Sequence, residues 1–297
     1  MSLSSLFKQH YRRMGYISKR ALDNLVPNKL QELRSHCFHN QYDKVNNPNG
    51  IVALAIAENK LMRDEICQHI NKQMNINPWH LTYGQGPNGD PALRRALASF
   101  VQEVFKPSTK ITENHICICN GAGSAVDNLS FCMGEPGDGI LVGRPLKDFC
   151  ANGTRIGALI SPFNPQLMRS FRSVASFTRA SQLAEHAWLN LLTDKAWLDW
   201  YFPLFQSRMT DAYEYAASFL RDNKISYNPA SVTSFVWLDL SRWLKEDSQD
   251  AELELNWRMA KGGVWLAMGA SFGSEKNGNF RLTFATPREE LKLGLER

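Results

Sequence analysis

The residues with the most chemical potential lie in one run, Leu146-Lys147-Asp148-Phe149-Cys150-Ala151-Asn152-Gly153-Thr154-Arg155-Ile156-Gly157. A lysine amine can form a Schiff base with a carbonyl group and relay a proton, and Lys147 is the candidate for both roles. Arg155 lies eight residues on, at the entrance to an apolar strand, where a guanidinium can neutralise a phosphate. The strand-like Gly139-Ile140-Leu141-Val142-Gly143 runs through Arg144-Pro145 directly into this segment. The run therefore reads as two ends of an active site with the middle absent.

A second candidate is Asn120-Gly121-Ala122-Gly123-Ser124-Ala125, between a predicted strand (residues 115–119) and a predicted helix (residues 124–133). Backbone amides at such a junction can cradle a phosphate, although a tight strand-to-helix turn needs small residues in any case. Tyr83-Gly84-Gln85-Gly86-Pro87-Asn88-Gly89 contains G-x-G-x-x-G, but no clear strand precedes it and Pro87 interrupts it. A dinucleotide fingerprint is rejected there. His36 and His39 lack a second cluster to complete a metal site, so no metal is expected. The six cysteines include no C-x-x-C pair. Cys117 and Cys119 would share one face of a strand as buried free thiols.

The elements needed to position these groups are legible. Asn46-Asn47-Pro48-Asn49-Gly50 is a turn leading into a short strand or buried turn at residues 51–57. Asp90-Pro91 starts a helix with Leu93, Leu97, Phe100, Val101 and Val104 on one face. Strands at 115–119, 139–143 and 155–161, with a helix after the first, predict parallel α/β architecture. Long helices follow over residues 165–223, and Pro203 is expected to kink or divide them. Strands at 234–240, 264–268 and 280–285, helices at 250–261 and from Pro287 onward, make a smaller α+β domain. The expected division is an arm over 1–50, a large domain over 51–164, and connecting helices with the small domain over 165–297.

Composition is that of a soluble globular protein, with 43% hydrophobic and 21% charged residues. No apolar run is long enough to span a membrane, and residues 1–20 lack a secretory h-region, so a cytoplasmic protein is expected. The net charge of +5 is modest. Lys8, Arg12, Arg13, Lys19 and Arg20 read as a solvated arm, not a nucleic-acid surface.

Taken in order, several segments resemble the class I/II aminotransferases of pyridoxal phosphate (PLP) fold type I, in the 1-aminocyclopropane-1-carboxylate synthase-like branch. They are Asn47-Pro48-Asn49-Gly50-Ile51 with Ala57-Glu58-Asn59, then Tyr83-Gly84-Gln85-Gly86 with Asp90-Pro91-Ala92-Leu93-Arg94. After these come Asn120-Gly121-Ala122, Lys147-Asp148-Phe149 with Arg155, and Phe280-Arg281-Leu282-Thr283-Phe284-Ala285. The resemblance implies a truncated α/β large domain of that fold with a smaller α+β C-terminal domain. It assigns Lys147 as the Schiff-base lysine and proton shuttle, and Arg155, Gly121 and Ala122 as phosphate ligands. Tyr83 matches the tyrosine that reaches a neighbouring subunit's cofactor phosphate. Arg281 matches the arginine that grips the substrate α-carboxylate, and Glu58 a glutamate near the substrate side chain. PLP is the implied cofactor, and an α-amino acid the implied substrate. A homodimer, or a heterodimer with an intact paralogue, is the implied assembly. Transamination, ring-forming γ-elimination and β-elimination such as carbon–sulfur cleavage all remain open.

The departure from that pattern is also specific. No residues match the aromatic that stacks on the cofactor ring, the asparagine and tyrosine at its hydroxyl, or the aspartate at its pyridine nitrogen. Arg144, Pro145 and Leu146 replace the serines that precede the family lysine. A splice junction between Pro145 and Leu146 is one explanation and a true pseudoenzyme is another. A catalytically inactive remnant that binds a partner is thus the alternative to an enzyme.

Overall fold

The computed structural model describes residues 28–135 and 149–297. The strand expected at 139–143, Lys147 and the basic cluster of residues 8–20 lie outside the described residues. The chain divides into two units.

The described part of the first unit comprises residues 28–55, 237–282 and 292–297. Helix α1 (Lys29–His39) starts at Asn28, whose side-chain oxygen accepts from the Leu30 amide at 2.9 Å. Strand β1 (Val52–Ala53) pairs in parallel with β6 (Val264–Trp265), and all four residues are buried. Most of β5 (Phe235–Asp239) lies in this unit, in the order β5–β8–β7 with β8 (Asn279–Thr283) and β7 (Ala267–Met268). The single strand expected at 264–268 is therefore two short strands in two sheets. The side chain of Asn256, on helix α8 (Gln249–Lys261), takes the carbonyl of the intervening Leu266 at 3.1 Å and so interrupts the ladder. The buried Glu252 of α8 accepts from the amides of Ala270 (3.3 Å) and Gly278 (2.8 Å), pinning both ends of the loop between them.

The second unit comprises residues 56–236 and 283–291. It holds helices α2 (Arg63–Gln73), α3 (Pro91–Phe105), α4 (Gly121–Met133), α5 (Pro165–Ala175), α6 (Gln182–Thr193) and α7 (Lys195–Asp222). Its strands include β2 (Ile116–Asn120), β3 (Ile156–Ile160) and β4 (Ser226–Asn228), and helix α9 (Arg288–Glu296) begins in it. Asp90 caps α3 as expected, accepting from the Ala92 amide at 2.6 Å, with Pro91 at the first helical position. Leu93 is buried on the predicted apolar face, whereas Val104 is exposed. Helix α4 starts at Gly121, three residues before its predicted start. Pro203 does not divide the long helix, because α7 continues on both sides of it.

The described pair β2–β3 is antiparallel, which corrects the parallel expectation. Asn120 at the end of β2 lies opposite Ile156 at the start of β3. Helix α4 carries the chain back from the end of β2, and β3 begins again beside that end, so the two strands run in opposite directions.

Alternation along β2 separates two layers. Ile116 and Ile118 join a core with Leu93, Leu191, Tyr201 and Phe149. Cys117 and Cys119 face the other way, against Ala125, Met168 and Phe171. Both thiols are fully buried and unbridged, as expected, and the neighbouring Cys117 together with burial pushes the Cys119 thiol up. Among the described residues no helix is long and apolar enough to cross a membrane.

Candidate functional site

Strand β2 ends at Asn120 and α4 begins at the next residue, so Gly121 alone must make the turn. It does so at φ +76°, a conformation that costs a residue with a Cβ about 1–2 kcal/mol. The first amides of a helix have no acceptor inside it, which leaves those of Gly121 and Ala122 available to an anion.

Arg155 completes this corner. It follows the short 3₁₀ turn Asn152–Thr154 and adopts φ +54°, ψ +43°, which turns the chain into β3. Its Nη1 donates to the Asn152 carbonyl at 3.4 Å. Its Nη2 lies 2.6 Å from the point that a Cβ on Gly121 would occupy. A glycine is thus required both by backbone conformation and by the guanidinium packed over it. Among the described residues Arg155 has no carboxylate partner.

Gly157 forms the floor. A Cβ there would stand 2.4 Å from the Gly121 carbonyl carbon and 2.5 Å from the Ala122 nitrogen. Only a glycine lets β3 lie directly against the opening of α4. The sequence reading passed over this residue, although an isolated glycine in an apolar strand signals close backbone approach.

Phe149 was likewise missed as an anchor. It is buried, stacks on Tyr201 at 5.7 Å between centroids, and meets Trp188 edge-on at 5.1 Å. The Trp188 indole donates to Thr154 Oγ1 at 2.8 Å, and Thr154 Oγ1 donates to the Ala151 carbonyl at 2.7 Å. The loop that presents Arg155 is therefore tied to α6 and to the core. Lys147 itself lies outside the described residues, two positions before this anchor.

The remaining candidates fall elsewhere. Tyr83 is 87% exposed, its carbonyl accepts from Arg179 Nη1 at 3.3 Å, and the Arg179 guanidinium lies over its ring. Glu58 follows β1 on a loop and forms an ion pair with Arg63 at the start of α2. Arg281 lies on β8 in the first unit, 9% exposed, with Nη2 donating to the Ala55 carbonyl at 2.7 Å. Its guanidinium stacks on Phe272 at 4.5 Å. The structure thus brings Gly121, Ala122 and Arg155 together, and describes Tyr83, Glu58 and Arg281 each in its own setting.

The corner fits a phosphate monoester. It offers helix-start amides, an arginine, and a glycine whose missing Cβ leaves room for the guanidinium. For the ring of a cofactor carrying that phosphate, the sequence supplies no counterpart of the stacking aromatic or of the aspartate at the ring nitrogen.

Residues 49–146 match the family of class I and II aminotransferases, and the match ends one residue before Lys147. The chain is 32% identical over 152 residues to 1-aminocyclopropane-1-carboxylate synthase-like protein 1 of Takifugu rubripes, covering 51% of this chain and 24% of that protein. It is 30% identical over 152 residues to the mouse protein named "Probable inactive 1-aminocyclopropane-1-carboxylate synthase-like protein 2", covering 51% and 26%. The matched stretch thus spans about a quarter of the length of these relatives. A single-mutant aspartate aminotransferase of Thermus thermophilus superimposes with a TM-score of 0.74 at 16% identity, covering 95% of this chain and 98% of that one. That likeness establishes the fold alone. Motif order, the family match over residues 49–146 and the superposition agree that the chain has the fold of the PLP fold type I aminotransferases.

Proposed function

We propose that this chain binds PLP through its phosphate and acts on an α-amino acid. The observation that carries the reading is the corner in which Arg155 packs over Gly121 at the start of α4. Arg155 and the amides of Gly121 and Ala122 hold the phosphate. When bound, the cofactor supplies an electron sink for charge developing at the substrate Cα. Lys147 holds the cofactor and moves the proton at that Cα. Arg281 grips the α-carboxylate, a task suited to a guanidinium already fixed by Phe272 and the Ala55 carbonyl. Tyr83 serves the cofactor phosphate of a neighbouring subunit, and Glu58 faces the substrate side chain.

A second reading is a PLP-binding remnant without turnover. It is favoured by the family match that ends at residue 146 and by the absent counterpart of the ring-nitrogen aspartate. The deciding experiment is a PLP titration followed by visible absorbance, beside Lys147→Ala and Arg155→Ala. The enzyme reading expects a band lost in Lys147→Ala, an affinity about 10–100-fold weaker in Arg155→Ala, and turnover of some amino acid by the parent. Cofactor binding without turnover across an amino-acid screen would select the remnant. A folded protein without any band would overturn both readings.

A further inference from the structure

The segment that leads into Tyr83 is seated on helix α6 through a pair of histidines. His80 lies in the short 3₁₀ turn Pro78–Leu81, and its ring packs on that of His186 of α6 at 4.1 Å between centroids. Both imidazoles are used as acceptors. His80 Nδ1 accepts from the Asn77 amide at 3.1 Å, which closes the cap of the turn. A backbone N–H cannot reverse its role, so this nitrogen has to carry a lone pair. His186 Nε2 lies 3.4 Å from Asn190 Nδ2, and the same Nδ2 donates to the Gln73 carbonyl at 3.1 Å. That second bond orients the Asn190 amide with its donors toward His186.

A proton on either of these nitrogens sets a donor against a donor. It also charges one ring against a second ring that can take a proton. Burial and the neighbouring His80 hold the His186 pKa below the usual histidine value, while Asp90 and a bond to the Asn75 backbone pull the other way. Two further charged groups face this segment. The buried Glu185 of α6 accepts from the Asp90 amide at 2.7 Å, and Arg179 Nη1 donates to the Tyr83 carbonyl at 3.3 Å. The turn is coupled to Tyr83 by short bonds. The Thr82 amide and hydroxyl both donate to the Trp79 carbonyl, at 3.0 and 2.9 Å. Thr82 Oγ1 in turn accepts from the Gly84 amide at 3.1 Å, so Tyr83 is placed by the turn before it.

We propose that His80 and His186 form a pH-sensitive latch, which clasps residues 77–83 to α6 while both rings are neutral and releases them on acidification. Closure depresses the His186 pKa, so it is fully favoured above the value of an exposed histidine, about 6.5. It weakens as pH falls through the lower value of the closed state. That release withdraws Tyr83 from a cofactor phosphate rests on the function proposed above, whereas the latch itself does not.

The test is amide hydrogen exchange of the full chain, read on peptides covering residues 76–84 and corrected for the intrinsic effect of pH. From about pH 7.5 to about 5.5 the parent is expected to lose about tenfold in protection there, the scale of one lost hydrogen bond. Peptides of α7 should not change. His186→Phe keeps a ring in the stack, and His80→Gln keeps an acceptor for the Asn77 amide. Each should hold the turn protected at both pH values, and circular dichroism confirms that each folds. Glu185→Gln should respond as the parent does. A parent without the loss, histidine variants that both show it, or a Glu185→Gln variant that lacks it would overturn the proposal. A PLP titration of Tyr83→Phe at neutral pH separates the two readings. An unchanged affinity would sink the role given to Tyr83 and leave the latch standing.

Discussion

At the scale of single residues, the anion corner depends on what is missing as much as on what is present. A methyl group on Gly121 would meet Arg155 Nη2 at 2.6 Å in a backbone conformation that disfavours it. Gly121→Ala is expected to weaken PLP binding at least about tenfold and to cost about 1–3 kcal/mol of stability. A cofactor titration beside urea unfolding measures both. Phe149→Ala removes the aromatic anchor two residues after Lys147 and should cost about 3–5 kcal/mol. Glu185 gives a pH-dependent case. It is almost fully buried on α6, and its carboxylate accepts from the Asp90 amide at 2.7 Å and from Gln182 at 3.1 Å. Burial pushes its pKa above the usual carboxylate range. The stability linked to it is then fully present below the unfolded value and is lost as pH rises through the raised one. Glu185→Gln keeps an acceptor for the Asp90 amide, so its stability relative to the parent should improve between mildly acidic and neutral pH. Urea unfolding across that interval decides whether it does.

At the scale of elements, much was legible because the local chemistry is strong. Asp90-Pro91 starts α3 through a cap and a preset φ, and neither needs tertiary information. The alternation of Ile116, Cys117, Ile118 and Cys119 marks β2 for the same reason. What was not legible depended on distant partners. The antiparallel direction of β2–β3 depends on a pairing between segments distant in sequence, and the split of β6 from β7 follows from Asn256. The site was legible in its residue types and order, since Gly121, Ala122 and Arg155 do converge. The supporting glycine at 157 and the Trp188–Thr154 tie were not, because each works through a contact that only the fold creates. Pro203 shows the limit of a local rule, as tertiary packing of α7 overrides its helix-breaking tendency. Pro203→Ala should restore a backbone hydrogen bond and raise stability by about 1–3 kcal/mol in a denaturant titration.

At the scale of the whole molecule, the chain matches the aspartate aminotransferase fold over 95% of its length, while its aligned sequence spans about a quarter of the length of two curated relatives. Large apolar side chains are exposed, among them Phe131, Phe163 and Phe177. A surface of this kind favours association. Because the phosphate corner lies wholly in the second unit, cofactor binding should stabilise that unit. Saturation to 100 times the dissociation constant corresponds to about 2.7 kcal/mol. Scanning calorimetry with and without PLP should show a transition moving upward, and Arg155→Ala at the same PLP concentration should reduce the shift to about half or less. If the curve separates into two transitions, the one that moves belongs to residues 56–236.

The bond from the Trp188 indole to Thr154 has an optical consequence. Indole emission responds to its hydrogen-bond partner, and this partner sits one residue before Arg155. The protein therefore carries an intrinsic lamp at the rim of the anion corner. Inorganic phosphate drawing on Arg155 should disturb the Asn152–Thr154 turn and change the emission of one tryptophan among eight. The difference spectrum between the parent and Trp188→Phe isolates that signal without any reaction having to occur.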